Sequence, residues 1–306
     1  MWIVFGALIT AVLALDLGVS SRKEHVVSMR EALSWTCVWI GLALAFNVFV
    51  YLRMGEQLAL QFLTGYIIEK ALSVDNLFVF IVIFGFFAVP KQHQHRVLFW
   101  GVLGALVLRA VFIFVGVALI STFHWMIYLF GAFLIYTGVK ILLGKEGETV
   151  DVSKSGLVRL FRRVVPMTES YDGPHFVSRV AGRARATPLL LVLVLIESSD
   201  VIFALDSIPA VLAISTDPFI VYTSNIFAIL GLRNLYFVLA NFMDRFEYLK
   251  VGLGLVLAFV GAKMAASGYY DLPIGVSLGV VAALLGGSVA YSLWHARRQH
   301  VRPSEG

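Results

Sequence analysis

Three carboxylates lie inside twenty otherwise apolar residues: the stretch IESSDVIFALDSIPAVLAIS, residues 196–215, carries Glu197, Asp200 and Asp206. A second apolar run, IIEKALSVDNLFVF at 67–80, carries Glu69, Lys70, Ser73, Asp75 and Asn76. Carboxylate, amide and hydroxyl oxygens are hard donors that suit Mg²⁺, Ca²⁺ or Mn²⁺, whereas Zn²⁺ and Cu sites draw in imidazole or thiolate. No histidine or cysteine lies in either run. A divalent cation also lets several carboxylates stay ionised side by side. The candidate metal ligands are therefore Glu69, Asp75, Asn76, Glu197, Asp200 and Asp206, with Ser73, Ser207, Lys70, Arg109, Asn225 and Arg233 as accessory groups.

Helical phase sorts these residues. Glu69, Ser73 and Asn76 are spaced i, i+4, i+7 and share a face, while Asp75 points about 100° away from Asn76. Glu197 and Asp200 are i, i+3, and Ser207 falls on the same side; Asp206 again points about 100° away from Ser207. Pro209 predicts a local distortion, because it lacks the amide that would bond the carbonyl of Leu205, and that carbonyl becomes a further oxygen near Asp206. The competing reading is structural: the acids pair with Lys70, Arg109, Lys140, Arg233 and Lys263 to hold helices together. Polar contacts between spans contribute only about 0.6–2 kcal/mol, little for so many charges. Arg109 and Arg233 read as counter-charges, and Asn225 as an accessory ligand or an interhelical hydrogen bond. The acids could also trade a metal for a proton.

The elements that must position these groups are membrane-spanning helices. The chain has 306 residues, 59% hydrophobic and 14% charged, with a mean hydropathy of +0.87, too apolar for a soluble domain of this size. Runs long enough for a bilayer core of roughly 30 Å are predicted at 2–20, 31–52, 57–89, 97–122, 125–144, 187–213, 218–240, 249–267 and 272–295, about nine spans in an all-α fold. The run 57–89 exceeds what a bilayer needs, so it requires tilt, a break or an interfacial end. Eighteen lysines and arginines fall between spans or in the tail on one side, and only Arg53 on the other. The positive-inside rule then places the N-terminus outside and the C-terminus in the cytoplasm. The net charge of +5 is thus topological and implies no nucleic-acid partner. The first apolar run has its basic residues after it and no small-residue cleavage site, so it reads as a retained helix. The single cysteine, Cys37, excludes an intramolecular disulfide.

One long polar connection, 145–186, divides the chain. Within it SGLVRLFRRVV places Leu157, Leu160, Phe161 and Val164 opposite Arg159, Arg162 and Arg163, the pattern of an amphipathic helix resting on an anionic membrane surface. The segments it separates resemble each other. Asp75, Arg109 and Lys140 recur as Asp200, Arg233 and Lys263 at nearly the same spacing, and Pro90 and Pro218 fall at comparable points. Topology makes the two copies antiparallel, an inverted 3+3 repeat of the kind found in secondary transporters. The expected units are 1–56, two N-terminal helices; 57–144, the first repeat; 145–186, the cytoplasmic linker; 187–267, the second repeat; and 268–306, the last helix and tail. The glycines at 101, 104, 131, 138, 252, 254 and 261 read as sites of close helix packing. No HExxH, GxSxG or GxxxxGK[ST] motif is present, which counts against a protease, an esterase, an ATP-driven pump or any other enzyme of those classes.

The segments EKALSVDNLFVF at 69–80, SDVIFALDSIPAVLAI at 199–214 and TSNIFAILGLRNLYF at 223–237 resemble the TerC family of membrane proteins, which includes the Alx-like members. The resemblance covers about residues 30–270. It implies a bacterial inner-membrane protein of the LysE-like transporter grouping, with manganese export as the activity and Glu69, Asp75, Asn76, Glu197, Asp200 and Asp206 as the acidic and amide positions. The leading expectation is a secondary transporter exporting Mn²⁺, with protons as coupling ion and no permanently bound cofactor. The alternative is a non-transporting scaffold or assembly factor, related to tellurium resistance, that binds partners through 145–186. No oligomeric state follows from the sequence.

Overall fold

The computed structural model describes residues 1–20, 28–143, 156–180, 182–240, 249–268 and 272–301; the side chains at 13–20, 75, 78, 156–157, 162, 249–250 and 296–301 are outside that description. The chain is helical almost throughout: α1 (Trp2–Ser20), α2 (Met29–Met54), α3 (Glu56–Phe86), α4 (Lys91–Thr122), α5 (Met126–Leu143), α6 (Gly156–Val164), α7 (Pro188–Leu212), α8 (Pro218–Leu230), α9 (Leu232–Leu239), α10 (Leu249–Ala266) and α11 (Ile274–Val301), with strands β1 (Val177–Val180) and β2 (Arg183–Ala186) between α6 and α7. By length and composition α2, α4, α5, α7 and Ile274–His295 within α11 can each cross a membrane, and Trp2–Val12, Pro218–Leu230 and Val251–Ala266 are shorter apolar helices. This is the architecture of an integral, multi-pass membrane protein.

Local chemistry sets the helix starts. Ser28 caps α2 by accepting from the Glu31 amide at 3.3 Å; with Glu31 three residues on, this is half of a capping box. Asp217 caps α8, accepting from the amides of Phe219 at 2.8 Å and Ile220 at 3.1 Å, with Pro218 in the first turn where its missing amide costs nothing. Gly55 alone separates α2 from α3, and its φ of 93° lies where an L side chain would be strained.

Two predicted spans differ in detail from what is seen. The long run 57–89 forms one unbroken helix, α3, whose 31 residues extend about 46 Å at 1.5 Å each. Run 218–240 is split at Gly231 into α8 and α9. A β-carbon at Gly231 would lie 2.7 Å from the Nζ of the flexible Lys70 side chain and 3.3 Å from the Trp39 Cβ, so glycine leaves room for these neighbours at the break. Pro209 sits within α7, which continues to Leu212.

The linker holds more than an amphipathic helix. In α6, Val158 is buried and Phe161 packs on the core, while Leu160 and Val164 are exposed. Beyond it β1 and β2 pair antiparallel, with Val177 opposite Ala186 and Val180 opposite Arg183. Gly182, at φ 77°, lies in the connection. Tyr171 donates to the Phe87 carbonyl at 2.7 Å, and burial pushes its hydroxyl pKa up. The Arg96 guanidinium lies 5.5 Å from the centre of the Phe176 ring. The linker is thereby fastened to the ends of α3 and α4.

The core is built where α3, α4, α7 and α8 meet. Gly65, Glu69 and Lys70 of α3 face Ser224, Asn225 and Ala228 of α8 in the same order, so these helices run parallel. Gly101, Gly104 and Gly116 of α4 face Ile196, Glu197 and Leu212 of α7, again in parallel order. On the outside, α5 packs along α10: Gly131 meets Gly261 and Gly138 meets Gly254, an antiparallel crossing of bare backbones. Phe46 of α2 stacks near Phe227 of α8 with ring centres 4.8 Å apart, and Trp2 of α1 meets Phe219 edge-on at 5.1 Å, so the first two helices lean on α8.

Candidate functional site

Arg109 is the largest side chain with no exposure to solvent, and it stands at the centre of the polar core. It projects from α4. Its Nη1 donates to the Glu69 carboxylate on α3, to Asn225 Oδ1 on α8 at 2.7 Å and to Ser207 Oγ on α7 at 3.2 Å; its Nη2 donates to Asp200 Oδ1 on α7 at 3.2 Å. One guanidinium thus joins four helices. Asn225 Nδ2 donates back to Glu69 Oε2 at 3.1 Å, and Ser73 Oγ, one turn along α3, donates to Glu69 Oε1 at 3.4 Å. Glu69, Ser73 and Asn225 are fully buried, and Asn76, Ser207 and Asp200 nearly so. Asp200 is the middle residue of α7, and Glu69 and Arg109 lie well inside α3 and α4. The cluster is therefore deep in the helical bundle, where an uncompensated charge is costly and charges face each other or a cavity.

The donors and acceptors are unevenly matched. Arg109 bonds each carboxylate through a single oxygen, and Arg109 Nε, Asp200 Oδ2 and Glu197 Oε2 are buried without a hydrogen-bond partner. Glu197 lies one turn before Asp200 against Gly104 of α4, where a β-carbon would overlap its carboxylate. Gly104 makes the space in which that acid sits. Lys70 is turned away from the pair, with Nζ donating to the Ala228 carbonyl at 3.1 Å, near the C-terminal end of α8 where cations are favoured. Even with Lys70 counted, Glu69, Glu197 and Asp200 against Arg109 leave formal negative charge in excess.

The remaining expected residues are placed as follows. Asn76 is buried on α3 and Arg233 is buried on α9. Asp75 falls on α3, and its side chain lies outside the described residues. Asp206 leaves the cluster: its Oδ1 accepts from Thr137 Oγ1 of α5 at 3.2 Å, as its helical phase dictates. Among the described residues no three His, Cys, Asp or Glu side chains gather closely enough to hold a metal. In this arrangement the facing acids Glu69 and Asp200 are held by an arginine. The sequence marked Arg109 only as a counter-charge; its position between both acids follows from packing and left no local signal.

A cavity of about 400 Å³ opens where the ends of α3, α4, α7 and α10 converge, lined among others by Gln61, Ser215, Asp217, Lys263 and Ser267. Gln61 lies two turns of α3 from Glu69, about 12 Å along the helix.

The sequence matches the family model described as Integral membrane protein TerC family over residues 54–300. An uncharacterized membrane protein of Myxococcus xanthus is 55% identical over 297 residues, covering 97% of this chain and 93% of that protein. The proposed membrane-bound redox modulator Alx of Escherichia coli K12 is 48% identical over 303 residues, with 96% and 94% covered. An uncharacterized membrane protein of Rickettsia bellii is 42% identical over 284 residues, with 93% and 94% covered. No solved structure matches the chain. Matched over most of its length by the family model and at 42–55% identity by these three membrane proteins, the chain belongs to the TerC family of integral membrane proteins.

Proposed function

We propose that this protein is a secondary transporter that exports a divalent cation, Mn²⁺ above all, from the cytoplasm through a site between α3 and α7. The observation that carries the reading is the buried cluster at the meeting of α3, α4, α7 and α8, with acids from two helices and excess formal negative charge. Such groups are costly in a membrane and mark ion pathways. Glu69 and Asp200, with Asn76, Ser73, Ser207 and Asn225, are the oxygen donors the ion would meet, with Glu197 beside them, and the family resemblance adds Asp75 of α3. Manganese rather than Ca²⁺ or Mg²⁺ rests on the resemblance to the Alx-like members.

The architecture proposed is nine spans around an inverted repeat, α3–α5 and α7–α10, in the bacterial inner membrane with the N-terminus outside and the C-terminus in the cytoplasm. Helix packing supports it: a two-fold axis exchanging the copies would turn the parallel α3–α8 contact into the parallel α4–α7 contact and map α5–α10 onto itself. The cavity beside Gln61 and Ser215 would be the outer vestibule. Rocking of one triplet against the other would open the site to either side. Protons are proposed as the coupling ion, because emptied acids accept them. The reading assigns no enzymatic step, no resident cofactor and no nucleic-acid partner. The redox role in the name of the Alx relatives would, by thiol exchange, need a cysteine pair, and this chain has only Cys37.

The test is uptake of radioactive Mn²⁺ into proteoliposomes, comparing wild type with Asp200→Asn and Asp75→Asn and adding Mg²⁺ or Ca²⁺ as competitors. Saturable flux lost in both variants is expected. Wild-type flux equal to empty liposomes under pH gradients of either sign would overturn transport and favour a scaffold acting through the basic linker, which deletion of 154–165 would then disable.

A further inference from the structure

The Arg109 guanidinium bonds a single oxygen of each of two carboxylates on different helices. Arginine clamps a carboxylate most strongly through two parallel bonds, a geometry that structural bridges frequently use. Here Nη1, with two hydrogens, faces three acceptors, while Nε faces none and Asp200 Oδ2 receives no donor. The contact set is that of one positive charge shared between two acids, with bonding capacity left over on both sides. Its acceptors, Glu69, Asp200, Ser207 and Asn225, are among the oxygens assigned to the transported ion.

We propose that Arg109 is a tethered counter-cation: it occupies the Glu69–Asp200 pair when the carrier is empty and is displaced by the ion. This rests on the transport reading above and adds to it how the empty protein returns. A carrier that moves by rocking must pass through a closed state in both directions. Loaded, its acids are neutralised by the ion; empty, they would be dry and mutually repelling, and the arginine supplies one of the two missing charges from within, the coupling proton the other. When the ion enters, the guanidinium needs another acceptor. Glu197 lies one turn from Asp200 on the same helix, with Oε2 unpartnered and Gly104 of Arg109's own helix opening the space around it. Lys70, the cation next to Glu69 on α3, is engaged elsewhere, by the Ala228 carbonyl.

Net export and ion-for-ion exchange separate this role from a structural one, because exchange needs only the loaded carrier to move whereas net export needs the empty carrier to return. In proteoliposomes, Arg109→Gln should retain exchange of radioactive Mn²⁺ against internal Mn²⁺ while net efflux falls at least tenfold. Arg109→Lys, which keeps the charge but cannot span both acids, covers the case in which the glutamine variant does not fold; it should lower the ratio of net flux to exchange about threefold. Equal loss of net flux and exchange in the folded variants, or an unchanged ratio, would overturn the proposal. Wild-type protein showing neither flux would instead overturn the transport reading beneath it.

Discussion

Where α5 crosses α10 the contact is glycine against glycine, Gly131 on Gly261 and Gly138 on Gly254, with backbone facing backbone and no charge involved. Where α3 and α7 meet α4 and α8 the contact is Arg109 among Glu69, Asp200, Ser207 and Asn225. In lipid, apolar side chains gain little by leaving the bilayer for each other, so small residues that permit close approach are an economical way to join helices. The first interface shows that the protein can make such a joint without charge. Charges at the second must be inserted at a cost and return little as adhesive, so their presence points to work other than holding. The first interface is read as the pivot and the second as the chemistry.

The largest effect should come from the charged interface. Arg109→Met leaves two buried carboxylates without a counter-charge, and removal of one partner from a buried ion pair costs about 3–5 kcal/mol. Denaturant unfolding of the detergent-purified protein should register that loss, and Glu69→Gln made together with Arg109→Met should recover part of it. A loss under about 1 kcal/mol would mean that the acids hold each other through protons and that the arginine is dispensable for stability. At the glycine interface, a β-carbon at residue 138 would lie 2.6 Å from the Gly254 carbonyl oxygen and 2.7 Å from the Ala258 nitrogen. Gly138→Val should therefore cost about 1–3 kcal/mol through overpacking. It should leave the KM for Mn²⁺ of the folded protein unchanged. A shift in KM would erase the separation between pivot and chemistry.

Gly104→Ala probes the border of the two. The atoms it meets are the end of the flexible Glu197 side chain and not backbone, so the fold should lose no more than about 1 kcal/mol. Displacing Glu197 from its space should instead raise the KM for Mn²⁺, and initial rates over a range of ion concentration would show it. An unchanged KM would mean that Glu197 takes no part in admitting the ion.

The two interfaces were unequally legible in the sequence. Glu69, Asp200 and Asn225 stood out because polar groups are rare in apolar runs, and the structure brings these three together around one guanidinium. Helical phase separated Asp206 from Asp200, but which neighbour would meet it depended on how α5 lies against α7. Arg109 was visible as a charge in a span; that it would sit between both acids depends on the rotation of α4, which no local pattern fixes. The break at Gly231 has no proline beside it, and the neighbours that meet it, Lys70 and Trp39, are far away in sequence. The hairpin after α6 did leave a signal, alternating VSRV and RARA about Gly182, which the density of arginines disguised as a charged loop.

Thr137 offers the mildest way to sharpen the comparison, since it lies on the α5 of the glycine interface yet reaches an acid of α7. Its hydroxyl donates to Asp206 Oδ1 at 3.2 Å, one residue before Gly138. Thr137→Val keeps shape and removes the donor, so the expected loss of stability is about 0.6 kcal/mol, the average for a polar contact between spans. The consequence for transport decides more. If Asp206 belongs to the pivot, the ion never meets it, and Thr137→Val leaves both KM and selectivity for Mn²⁺ over Ca²⁺ as they were. If Asp206 swings into the ion's path when the triplets rock, losing the Thr137 bond lowers the KM, and that hydrogen bond then links the glycine joint to the charged one.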